Sequence, residues 1–208
     1  MLSRFRKNFT RAMCVVIGGL LLTSCPAKVE VSDSAPPEEP NPITWSSCSY
    51  LENDHQCDLV LVEASGQPWQ LYEHFGSIIV LDFSTEWCGY CQVAASKLEE
   101  ISADYTGRDV VFVTVLIEDV NWAPADLDLA NRWKDYFGLT GPVLVGDRSL
   151  LDAAPLDPEG LEGWPVSGFP NFFFIDRDMR LRSKLGGWSE AGIRYELDRL
   201  LAEDVVEE

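Results

Sequence analysis

The chain is short of cations. It has 16 Lys+Arg against 34 Asp+Glu, a formal net charge of −18. A surface of that sign repels phosphate, which excludes nucleic acid as a partner. Histidine is scarce too. His55 and His74 stand alone without ligand spacing and read as surface groups. No second CxxC and no HxxxH is present to complete a structural zinc site, which normally takes four ligands. No internal repeat is visible. There is no apolar run long enough for a bilayer span, which needs roughly 20 residues. The N-terminal run Ala12 to Leu22, AMCVVIGGLLL, has 11.

What is present at the front is a basic head, Arg4, Arg6, Lys7 and Arg11, followed by that short apolar run. The combination reads as a secretory signal over residues 1–24. It ends in Leu22-Thr23-Ser24-Cys25, which resembles the bacterial lipoprotein box, so Cys25 is expected to be lipidated and to anchor the chain. Pro26 after it resembles the outer-membrane default, which favours the outer over the inner membrane. Residues 25–47, with PAKVEVSDSAPPEEPNP, are proline-rich and acidic and cannot bury a core. They are expected to be an extended tether, of which the 17 residues Pro26 to Pro42 alone could hold the following domain up to roughly 50 Å from the membrane, at ~3.1 Å per residue. Without the four signal cations the balance is 12 Lys+Arg against 34 Asp+Glu, a net of −22. Cys14 leaves with the signal and Cys25 is blocked. The thiols Cys48, Cys57, Cys88 and Cys91 remain, an even number that suggests two pairs in an oxidising compartment.

Residues 48–206 have the size of one domain. Ile78 to Phe83 predicts a buried strand. A helix is expected over Cys88 to Tyr105, with Ala94, Leu98, Ile101 and Tyr105 on one face. Val110 to Ile117, VVFVTVLI, predicts a central strand buried on both faces. Pro124 to Phe137 predicts a helix with proline near its first turn and Gly138 past its end. A short strand at Val143–Val145 follows, then strands at Asn171–Ile175 and Leu181–Leu185 joined by a turn. Ser189 should cap a last helix facing inward through Ile193, Leu197, Leu200 and Leu201. This order predicts an α/β fold with a central mixed sheet flanked by helices.

The stretch EWCGYCQ, Glu86 to Gln92, carries the chemistry. Haem attachment needs a histidine after the second cysteine, and position 92 is Gln. A plain structural disulfide remains open, although so tight a loop is rarely needed for stability. Thiol–disulfide exchange needs a thiolate at a helix N-terminus and a second sulfur one turn on. Cys88 and Cys91 satisfy both, with Trp87 as a shield or a flat contact surface.

Leu81-Asp82-Phe83-Ser84-Thr85-Glu86-Trp87-Cys88-Gly89-Tyr90-Cys91 closely resembles the thioredoxin active-site stretch. Gly168-Phe169-Pro170-Asn171 and the apolar strand after it resemble that family's cis-proline loop. The run GQPWQLYEHFGSIIVLDFS resembles the TlpA-like branch of exported, membrane-tethered thioredoxin-like proteins. The resemblance implies a thioredoxin fold with an insertion between the CxxC helix and the cis-proline loop. It implies Cys88 as nucleophile, Cys91 as resolving thiol and Asp82 as the buried acid that takes the Cys91 proton through water. Trp87, Gly89, Tyr90, Phe169 and Pro170 become the substrate-binding surface. Phe169 and Gln92 depart from the family pattern, where a smaller and a basic residue are usual.

Cys48 and Cys57 flank SYLENDHQ and are expected to form a structural disulfide, the alternative being a second redox pair. The function expected is a lipid-anchored periplasmic thiol–disulfide oxidoreductase acting as a reductase. The resemblance implies protein disulfide substrates and a membrane electron donor. No cofactor, metal or nucleic acid is expected, and the protein should be a monomer. The competing reading is a non-catalytic binding module or a copper-handling assembly factor. A peroxidase would place Thr85 three residues before Cys88, but Leu81 stands where that reading needs proline.

Overall fold

The structure is a computed structural model that describes residues 43–153 and 162–203. The expected signal peptide, Cys25 and the tether as far as residue 42 lie outside the described residues. Residues 43–47, assigned to the tether from sequence, include Trp45. Its ring stacks on His55 with centroids 4.0 Å apart, and its Nε1 donates to the Tyr72 hydroxyl at 3.2 Å.

Seven strands form one mixed sheet. They are β1 (Val60–Glu63), β2 (Pro68–Gln70), β3 (Ile78–Ser84), β4 (Val110–Leu116), β5 (Val143–Val145), β6 (Asn171–Ile175) and β7 (Leu181–Gly186). Their order is β2-β1-β5-β4-β3-β6-β7. The three inner strands β5, β4 and β3 run parallel, and β6 returns antiparallel to β3 with Phe83 opposite Asn171. Every residue of β3 is buried, as expected of a strand covered on both faces. Ile78 and Val80 join one core cluster; Ile79, Leu81 and Phe83 join the other. The first cluster is filled from helices α1 (Gly89–Asp104), α2 (Leu127–Phe137) and α3 (Glu190–Glu203) through Ala94, Leu98, Ile101, Leu129, Trp133, Ile193 and Leu197. The second packs under Tyr50, Leu71 and Trp164, with Trp164 against both Phe83 and Phe173.

Two expectations need correction. The second helix begins at Leu127, not Pro124: Asp126 caps it by accepting from the Leu129 amide at 2.8 Å. Pro124 is taken instead by a β-bridge to Glu118, and the Ala125 amide donates to Ile117 O. A proline ring sits as well in that bridge as in a first helical turn, and the better capping side chain sets the start. The histidines are not free surface groups either. Both are half-buried against indoles, His55 on Trp45 and His74 on Trp69 at 5.0 Å, and desolvation lowers the His74 pKa.

Cys48 and Cys57 are disulfide-bonded. Their loop is laced by Ser49 Oγ to Asp54 and by Gln56 Nε2 to Ser49 O. It docks on the start of β7 through the amides of Asn53 and Gln56, which donate to Leu181 O and Met179 O. Leu181 lies beside Ile175 and so beside the first residues of β3, whereas Cys88 follows the last. At ~3.3 Å per residue the two disulfides are roughly 15–20 Å apart, at opposite ends of the sheet. Sulfur does not reach sulfur across that length in this structure. Replacing Cys48 and Cys57 together by alanine is expected to lower stability by about 2.5–3 kcal/mol, the chain-entropy value for a ten-residue loop. Urea unfolding of the double variant measures it.

Candidate active site

β3 delivers the site. Its run of β-branched and aromatic residues ends at Ser84, and the chain turns through Thr85, Glu86 and Trp87 into α1. Cys88 is the N-cap of α1, in extended conformation, and its Sγ accepts from the Cys91 amide at 3.1 Å. The first-turn amides of a helix have no internal partners, and the N-terminal end carries partial positive charge. A sulfur placed there is stabilised as thiolate. Cys88 and Cys91 are joined in a disulfide. Cys91 is 0% exposed, and Cys88 is the more accessible of the two at 6%.

Asp82 sits behind this turn. It shares a face of β3 with Ile78 and Val80, whose cluster includes Cys91, because alternate residues of a strand face the same way. It is 1% exposed. One carboxylate oxygen accepts from Ser84 Oγ at 2.8 Å, and the other has no hydrogen-bond partner among the described residues. Burial pushes its pKa up to about 7, against the smaller opposing pull of the Ser84 and Thr114 hydroxyls. A group titrating near neutrality beside a disulfide can take and return a proton at working pH.

Phe169 and Pro170 come to the same end of the sheet, just before β6, with the peptide bond between them cis. The Phe169 ring meets Trp87 edge to face at 6.0 Å. Trp87 is half-buried. Gly89 and Tyr90 occupy the exposed first turn of α1: Tyr90 is 71% exposed, and a Cβ on Gly89 would meet nothing. The fold thus brings together Asp82, Trp87, Cys88, Gly89, Tyr90, Cys91, Phe169 and Pro170. It leaves Cys48 and Cys57 at the far end.

Sequence reasoning missed one part of the site. Glu118, just after β4, is 4% exposed and accepts from Trp87 Nε1 at 3.0 Å. Its carboxylate also takes a forked pair of hydrogen bonds from Arg148. The Arg148 guanidinium holds its pKa below the usual carboxylate range. Trp122, in the loop after Glu118, stacks on Trp87 at 4.4 Å. The only signal in the sequence was a charged residue closing an otherwise apolar strand.

With this geometry in place, the relatives become informative. Residues 71–131 match the thioredoxin family model. The chain is 35% identical over 69 residues to thioredoxin H8 of Arabidopsis thaliana, covering 33% of this chain and 38% of that one. It is 21% identical over 130 residues to the thiol-disulfide oxidoreductase ResA of Geobacillus kaustophilus, 62% of this chain and 66% of that one. The matched part is less than two thirds of the length of either relative. Among solved structures it is similar to the pneumococcal exposed lipoprotein thioredoxin of Streptococcus pneumoniae, with TM-score 0.53 and 27% identity over 69% of this chain and 100% of that one. It also superposes on a thiol:disulfide interchange protein of the thioredoxin family from Chlorobium tepidum, with TM-score 0.57 and 17% identity over 76% of this chain and 99% of that one.

Proposed function

The domain is thioredoxin-like in sequence and in fold, and from that premise we propose that it is a thiol–disulfide oxidoreductase in which Cys88 attacks and Cys91 resolves. One observation carries the reading: a disulfide spans the first turn of α1, with one sulfur at the helix mouth and the other fully enclosed above a buried acid. In the reduced protein the Cys88 thiolate attacks one sulfur of a substrate disulfide, forming a mixed disulfide and expelling the first substrate thiolate. Cys91 gives its proton toward Asp82 and displaces the second. Two electrons pass to the substrate, and the Cys88–Cys91 bond forms. The flat surface of Trp87, Gly89, Tyr90, Phe169 and Pro170 takes the substrate chain.

The direction proposed is reduction, supported by the TlpA-like resemblance. It requires a membrane donor that returns two electrons per cycle. The lipoprotein-like Cys25 and the proline-rich tether support a domain held at a periplasmic membrane face, the outer membrane favoured, as a monomer. None of the described helices is long and apolar enough to cross a bilayer.

The test is turnover. With dithiothreitol as donor, the protein is expected to accelerate precipitation of insulin B chain, and Cys88→Ser is expected to remove the acceleration entirely. Equal rates for the two proteins would overturn the reading.

A further inference from the structure

Trp122 is held in a conformation that its own packing does not explain. Its φ is +65°, in the left-handed region that L-residues other than Gly, Asn and Asp rarely adopt. The turn is imposed by Asp119: Oδ1 accepts from the amides of Asn121 and Ala123 at 2.7 and 2.9 Å, and the Asp119 amide donates to Ala123 O. Strain of this kind is ordinarily offset by burial, yet Trp122 is 60% exposed. What the turn achieves is placement. The indole lies flat against Trp87 at 4.4 Å with the planes 20° apart, and Trp87 meets Phe169 at 6.0 Å. Phe169 precedes the cis-proline and Trp87 precedes Cys88. Trp87 is in turn fixed by Glu118. Three rings therefore form a row that passes the helix mouth and ends on a solvent-facing indole.

We propose that Trp122 is a specificity residue that receives an apolar side chain of the substrate, so that the preferred substrates are extended polypeptide disulfides with a large apolar residue near the reacting cysteine. The row from Phe169 to Trp122 spans about 10 Å at most, three residues of extended chain at ~3.3 Å each. With the substrate cysteine seated at the Phe169 end of the row, beside the cis-proline, the apolar residue lies two or three positions from it. An open indole face offers contact area at low entropic cost, and an aromatic pair is favoured beyond its area alone. This rests on the oxidoreductase reading and adds the substrate class to it.

The experiment uses two synthetic peptides, each with one cysteine in disulfide linkage to thionitrobenzoate. One carries Phe three residues from the cysteine and the other Gly there; the mixed disulfide of 2-mercaptoethanol and thionitrobenzoate serves as a side-chain-free reference. The reduced full chain is mixed with each, and thionitrobenzoate release is followed. The wild-type protein should prefer the Phe peptide about tenfold, the range of one apolar contact. Trp122→Phe should keep most of that preference. Trp122→Gly, which removes the indole and suits the left-handed backbone, should bring the ratio of the two peptides to about one. Its Tm should stay close to that of wild type, a readout a merely structural tryptophan would move. A Phe preference that survives in Trp122→Gly, or no preference in wild type, overturns the proposal while leaving the oxidoreductase reading intact. No reaction of wild type with any of the three disulfides overturns both.

Discussion

With Cys91 replaced by alanine, Cys88 should retain captured substrates as mixed disulfides instead of releasing them. In the native chain the Cys91 sulfur lies one turn away on α1, within bonding reach of Cys88, where the proposed mechanism has it attack the mixed disulfide. Such intramolecular reactions reach effective molarities of 10⁵ M and above when well aligned. Even a thiol far from that ideal outpaces a millimolar external reductant, so the variant's mixed disulfides should persist ~10³-fold longer or more. Cys91 is wholly enclosed, so no small thiol can take its place from the same side. The measurement is mass spectrometry of the variant after exposure to a disulfide-bearing substrate: adducts on Cys88 that dithiothreitol removes. Absence of adducts, with turnover equal to wild type, would show that Cys91 resolves nothing. The variant should stay folded. It loses a single sulfur and a bond closing a very short loop, where the entropic contribution of a disulfide is smallest.

The parts of this site that sequence made legible are those confined to short stretches of chain. The apolar run before the cysteines is β3, and Ala94, Leu98 and Ile101 do face inward from α1. Ser189 caps α3, its Oγ accepting from the Gly192 amide at 3.1 Å. Strands β1 and β2 were not anticipated. They are short edge strands with alternating, half-exposed residues; Val60 is 57% exposed, and their apolar pattern is correspondingly weak. The Trp87–Glu118–Arg148 group was also invisible, since its partners are 31 and 30 residues apart and meet only once β4 lies beside β3. No local period reports such a meeting. Asp82 could be named only through the resemblance to thioredoxins, because a lone acid in an apolar strand also fits an exposed edge. Burial on both faces of β3 excludes that position.

Asp82→Asn should make the oxidised protein more stable at alkaline pH while slowing its chemistry. The carboxyl has a pKa of 3.8 when free and about 7 in the fold, raised first by burial. Between those values Asp82 binds more proton in the native state than in the unfolded state, so its contribution to wild-type stability should fall as pH rises from about 4 to about 7 and level off above. Three units at about 1.36 kcal/mol each set an upper bound of about 4 kcal/mol on that loss. Asparagine keeps an oxygen for the Ser84 hydroxyl and carries no charge, so the Asp82 contribution to the slope should vanish and most of that lost stability return at pH 8. Urea unfolding of both proteins between pH 4 and 8 measures it; parallel pH profiles would mean that Asp82 does not titrate inside the fold. The rate should move the other way. If Asp82 accepts the Cys91 proton, resolution of the mixed disulfide in wild type should rise with pH through about 7. That limb should be missing in Asp82→Asn, with a loss of ~10²-fold or more in the step, the usual contribution of a positioned base. Higher stability with lower rate from one atom exchange is the pattern of a group retained for function at the expense of the fold. A variant that gained stability without slowing would place the carboxyl outside the proton path.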